Sequence, residues 1–102
     1  MQFVNLPQPY SLVAPNQITV QTKPGATAQL DIKYSITYSD GKFAPQHFQQ
    51  AADNSGMTTF VVPPPSSCYG VFEPSVDLVA TAPDSNGQQV QITAFLPTGT
   101  CQ

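Results

Sequence analysis

The sequence predicts an all-β domain, an antiparallel Greek-key sandwich of about seven strands, on three observations. Apolar and polar residues alternate over Ala26–Tyr38 and again over Ser75–Leu96. Successive side chains of a strand point to opposite faces, so a period of two marks strands with one buried and one wet face. Turn signals built on Gly, Pro, Asp and Asn recur about every 8–12 residues, the spacing of a sandwich or barrel. No apolar stretch of period 3.6 is long enough for a stable helix, so at most one short helical turn is expected, near 45–52.

The 102 residues make one domain, enough to bury about two thirds of the unfolded chain's surface. Charged residues are only 9% of the chain, with three Lys, no Arg and six acids, against about a quarter in typical domains. This balance excludes nucleic acid as a partner, since phosphates call for a Lys/Arg-rich surface, and gives no attraction to anionic membranes. No run of eighteen apolar residues exists, so no helical membrane insertion is expected. The start, MQFVNLPQPY, has neither a basic segment nor a continuous apolar one and is not read as a signal peptide. Met1 is then either native or a replacement for a signal peptide on a mature secreted chain.

Met1–Asn16 carries Phe3, Val4, Leu6, Tyr10, Leu12 and Val13 broken by Pro7, Pro9 and Pro15. Proline removes a backbone donor and fixes φ, which excludes a helix and a central strand. The expected organisation is an extended N-terminal arm over 1–16 and a single sandwich over 17–102. The arm either packs on its own domain or reaches a neighbour. In the second case a chain lacking Met1–Tyr10 should fold and fail to dock.

Gln17–Thr22 is a short strand with Ile18 and Val20 inward, and Lys23-Pro24-Gly25 is a turn. Ala26–Tyr38 is the long strand, with Ala28, Leu30, Ile32, Tyr34, Ile36 and Tyr38 on one face. Asp40-Gly41 in a two-residue loop would pair Ser39 with Lys42 and Tyr38 with Phe43. Pro45–Ala52 (PQHFQQAA) is the candidate helical turn, with Pro at the first position. Asp53–Gly56 is a turn. Met57–Val62 is a strand without a clean polar face, read as buried on both sides or at a corner. Pro63–Pro65 is polyproline II, and Cys68–Phe72 is a short strand.

Ser75–Leu96 reads as a hairpin. Val76, Leu78, Ala80 and Ala82 share a parity with Val90, Ile92, Ala94 and Leu96. Opposed residues of an antiparallel pair share a face, so the loop must be odd in length. A three-residue loop, Ser85-Asn86-Gly87, satisfies this with Gly87 left-handed, and pairs Ala82 with Val90, Ala80 with Ile92 and Leu78 with Ala94. This ending, SVDLVATAPDSNGQQVQITAFL, resembles the last hairpin of immunoglobulin-like modules, over about a quarter of the chain. The resemblance implies an immunoglobulin-like sandwich, here without Trp and without the cysteine placement of antibody domains, and implies no function.

Cys68 and Cys101 are the two cysteines. A disulfide between them would close a loop worth ~3–4 kcal/mol in the chain-entropy account. Free thiols in a cytosolic chain are the alternative, and metal ligation lacks the His pair a zinc site would need. His47 is the lone histidine, and nothing in the sequence places it beside a nucleophile. Asp53–Gly56 and Asp84–Gly87 look alike but lack a calcium-loop ligand series, and both fall where turns are needed. Glu73 and Asp77 are read as two solvated acids. No cofactor or metal is expected, and the chain is read as a non-enzyme.

The candidate interaction residues are Phe3, Leu6, Tyr10 and Leu12 of the arm, with Val79 and Phe95, which the hairpin register sets on the outer face near Asp77 and Thr93. The function expected is a non-catalytic structural subunit of a large assembly, a virion component such as a capsid-decoration or fibre protein. Its partners would be protein subunits of the same or a neighbouring type in an oligomeric assembly. The alternative is a secreted or cell-surface immunoglobulin-like module binding protein or carbohydrate.

Overall fold

Alternation becomes strand wherever neighbouring strands take up its backbone groups. The computed structural model describes residues 1–35, 45–64 and 75–98, and shows seven strands among them. In chain order they are β1 (Gln2–Asn5), β2 (Asn16–Gln21), β3 (Thr27–Ser35), β4 (Gln46–Ala51), β5 (Met57–Val62), β6 (Ser75–Pro83) and β7 (Gln89–Pro97). Two antiparallel sheets, β1-β2-β5 and β4-β3-β6-β7, enclose one core as a β-sandwich. The chain crosses between sheets after β2, after β4 and after β5, so neighbours in sequence are often not neighbours in a sheet.

Residue parity sets the core. The buried apolar side chains are even-numbered throughout, among them Tyr10, Ile18, Val20, Leu30, Ile32, Phe60, Val62, Val76, Leu78 and Leu96. Each long pairing sets even opposite even: Ile18 opposite Phe60, Leu30 opposite both Phe48 and Ala80, and Ala80 opposite Ile92. Opposed residues share a face, so one parity stays inside across both sheets. Each fully buried Leu, Ile or Val contributes about 1.5–3 kcal/mol. Strand β1 is the exception. Phe3 pairs with Val20 and packs against the core although odd-numbered; the register then slips at Val4, so that Asn5 faces Thr19. A bulge inserts one residue into one strand, and beyond it the inward residues are Leu6, Tyr10 and Leu12.

The β6–β7 hairpin has the expected register, with Ala82 opposite Val90, Ala80 opposite Ile92 and Leu78 opposite Ala94. Gly87 has φ of 80°, a conformation that side chains with a Cβ rarely adopt. The β4–β5 connection repeats the same turn. In both, Gly N–H donates to the Asp carbonyl at 3.0 Å, and the Asp Oδ1 accepts two further backbone N–H groups. Asp53 and Asp84 are therefore turn-closing acceptors.

Three expectations change. Residues 45–52 do not form a helical turn: all six residues of β4 pair with β3, from Ile32–Gln46 to Thr27–Ala51, and Phe48 packs against the core. Helix propensity, worth tenths of a kcal/mol per residue, cannot nucleate a helix this short, whereas a ready-made edge on β3 takes up the backbone groups. Strand β5 is buried on one face only, with Thr58, Phe60 and Val62 inward and Thr59 and Val61 outward. Its sheet is one layer of a two-layer sandwich, so the face turned away from the core meets water. Finally, Tyr10 is fully buried and Leu12 nearly so. A chain cut after Tyr10 loses a principal core side chain and should unfold, where the sequence suggested a folded, undocked product. The proposed Asp40-Gly41 turn, the Cys68–Phe72 strand and the residues Cys68, Cys101 and Glu73 lie outside the described residues.

Candidate interaction surfaces

The arm enters the sandwich between its two sheets. Tyr10 N–H donates to the Pro97 carbonyl at 3.0 Å, and Tyr10 forms a parallel bridge with Thr98 at the end of β7. Leu12 follows it into the core, while Phe3 and Leu6 pack partly buried against it. Tyr10 and Leu12 therefore present no surface to a neighbour, and Phe3 and Leu6 present only part of theirs.

Tyr10 also anchors a polar network that the sequence reading missed. The Tyr34 hydroxyl donates to Gln46 Oε1 at 2.8 Å, so across the 3.1 Å contact between the phenols Tyr10 is the donor. The two rings meet edge to face with centroids 6.0 Å apart, a favourable arrangement of aromatic quadrupoles. Asn16, also buried, exchanges two 2.8 Å hydrogen bonds with the backbone of Ser11 and fixes the bend that carries Tyr10 inward. Burial pushes the Tyr10 phenol far above its ordinary value, with the Tyr34 hydrogen bond adding to the rise. Burial raises Tyr34 as well, against the opposing effect of its bond to Tyr10. Both are held as neutral hydrogen-bonding groups. A signal for the network was available: a Tyr at core parity brings a hydroxyl that must find a partner.

His47 stands directly opposite Asp31 on β4 and β3, and its Nδ1–H donates to Asp31 Oδ1 at 2.6 Å. The pair lies on the open outer face, each side chain about half exposed, where such an ion pair contributes about 0–1 kcal/mol.

The outer face of β6 and β7 carries the other candidates. Phe95 is opposite Asp77 and 66% exposed, the most exposed large apolar side chain among the described residues; Val79, half-buried, is opposite Thr93 one step along. Around them the wet face mixes the charged Asp31, Lys33 and Asp77 with amides and hydroxyls such as Gln29, Gln91 and Thr81. Val4, Val13 and Val61 are also exposed, each on a separate element or loop. No protein-family model matches the chain, and a search of curated proteins finds no relative.

Proposed function

We propose that the chain is a non-catalytic structural subunit of a large assembly, most concretely a virion component of the capsid-decoration or fibre type. The observation that supports this reading is the outer face of β6 and β7. There Phe95, two-thirds exposed, stands near Val79 on a sheet face where Asp77, Lys33 and Asp31 lie among amides and hydroxyls. An exposed aromatic with a second apolar side chain near it on a sheet face favours a protein neighbour. Its test is sedimentation of native particles followed by quantitation of the chain against the major subunit. A fixed ratio that survives washing is the expected result; recovery only as free 10.9 kDa protein would remove this reading.

Strand order supports a second reading, an immunoglobulin-like binding module. Labelled A to G in chain order, the strands divide as A-B-E and D-C-F-G. This differs from the A-B-E-D and C-F-G division of constant-type immunoglobulin domains only in the sheet that strand D joins. Such a module would be found outside cells, bound to a protein or carbohydrate. Recovery of the processed chain from the medium after cleavage of a leader would favour it over the virion reading.

A further inference from the structure

The geometry points to β7 as a docking edge for a second copy of this chain, pairing antiparallel about a two-fold axis at Ile92. The inference deepens the subunit reading by naming one partner, and rests on that reading for its biological setting.

Four strands border the two sheets. Strand β1 is four residues long and bulged. Strands β4 and β5 lie beside each other, and Gln46 and Gln50 of β4 reach across to the Pro63 carbonyl, Thr58 Oγ1 and the Thr59 carbonyl. That leaves β7: nine residues, regular in register against β6, with no charged residue and no proline before Pro97. Charges, prolines and bulges are the devices that keep edges from pairing, and β7 has none of them from Gln89 to Leu96.

Its free backbone groups follow from the hairpin. Asp84 N–H donates to the Gln88 carbonyl, and hydrogen-bonded pairs alternate along an antiparallel ladder. Even-numbered residues of β7 therefore bond β6, and the N–H and C=O of Gln89, Gln91, Thr93 and Phe95 point away from it. The Pro97 carbonyl, the next in this series, is the one Tyr10 takes, which agrees with the phase. Among the described residues no other backbone group reaches the series. On the inner face Val90, Ile92 and Ala94 are only partly buried, while Ala82, Ala80 and Leu78 opposite them are buried. The edge thus offers both unpaired backbone and unfinished apolar burial.

A second β7 matches this edge in one register. Gln89 opposite Phe95 and Gln91 opposite Thr93 uses all four outward residues of each copy. It sets Ile92 against Ile92 and Val90 against Ala94 on the inner face. A shift of two residues one way drives Gln89 onto Pro97 and Tyr10; the opposite shift leaves Phe95 backbone groups unpaired. With a net charge of −3 per chain, like charges oppose most self-contacts, and the uncharged β7 avoids placing them face to face. The product is a continuous eight-stranded sheet with a closed, isologous interface.

Sedimentation equilibrium of the full chain tests this, with circular dichroism to establish that each variant is folded. The wild type should reach twice 10.9 kDa reversibly with concentration. Gln91→Lys with Thr93→Lys sets like charges opposite each other twice across the axis and should give monomer. Gln91→Lys with Thr93→Glu sets opposite charges there and should keep the dimer. Thr93→Pro removes only an outward N–H, as prolines on edge strands do, and should also give monomer. A wild-type chain that stays monomeric overturns the proposal, as does a dimer indifferent to the double-Lys change or to Thr93→Pro. Loss of dimer in all variants, the Lys/Glu one included, overturns the register. A monomeric wild type that still co-sediments with particles leaves the subunit reading intact and removes only this contact. A dimer never found in particles does the reverse.

Discussion

Replacing Tyr10 by Ala tests how the arm and the sandwich depend on each other. The side chain is fully buried at the junction of both sheets and the end of β7. Removing a buried aromatic ring costs about 3–5 kcal/mol, partly lost transfer energy and partly the cavity left behind. The Tyr34 hydroxyl keeps Gln46 as its acceptor, so no orphaned donor adds to this. Total stabilities of about 5–15 kcal/mol are usual, so the change consumes about a fifth of the stability or more. Tyr10→Phe keeps the ring and loses one hydrogen bond, for about 1 kcal/mol. Urea unfolding followed by circular dichroism reads both: the midpoint should fall several-fold further for Ala than for Phe, with the slope unchanged. A loss below about 1 kcal/mol for Tyr10→Ala would show the arm to be dispensable and the reasoning about the core wrong.

The tyrosine pair also predicts an alkaline limit. Tyr10 and Tyr34 have phenol pKa values raised in the folded chain by burial, so their stabilising contribution is complete below the unfolded value of about 10. It is lost as pH rises above that value, because the unfolded chain releases protons the folded one holds; phenolate absorbance should show these two titrating only with unfolding. Gly56→Ala should destabilise far more than Gly87→Ala in thermal melting, although both have φ of 80°. A Cβ at Gly56 collides with the Thr22 carbonyl, while one at Gly87 meets open space and carries only the backbone strain of about 1 kcal/mol. His47→Ala should shift stability by less than about 0.5 kcal/mol, measured by urea midpoint, since it removes only a half-exposed surface pair.

What was legible in the sequence was local. The β6–β7 hairpin follows from two conditions that need no third strand: equal parity of two apolar sets and a loop ending in Gly87. Strand β3 is plain for the same reason. Strand β4 was not, because PQHFQQAA has only Phe48 to mark a face, and its conformation comes from pairing with β3. Strand β5 looked two-sided because Val61 continues the apolar run; the two-layer arrangement leaves nothing among the described residues to cover its outer face and sends Val61 to water. The Tyr10–Tyr34–Gln46 network joins positions 24 and 12 residues apart, and its geometry depends on a bulge at Val4 that no residue type announces. Of the candidate surface, Phe95 was found by parity alone, whereas the open edge of β7 needed the whole strand order.

The register slip in β1 bears on how the arm meets the sandwich. Phe3 faces inward in the register that β1 takes against β2, and without a slip the next inward positions would be odd-numbered: Asn5, Pro7 and Pro9. One extra residue at Val4 moves the inward position to Leu6, and beyond the end of β1 the chain bends so that Tyr10 and Leu12 also face the core. Tyr10 and Leu12 are thereby buried within the chain and Phe3 and Leu6 partly so, while Val4 and Val13 stay exposed. Tyr10 then caps β7 at Pro97, leaving Gln89 to Phe95 as the length of edge still unpaired. The unpaired edge of β7 and the exposed Phe95 thus lie apart from the part of the arm that Tyr10 and Leu12 bury.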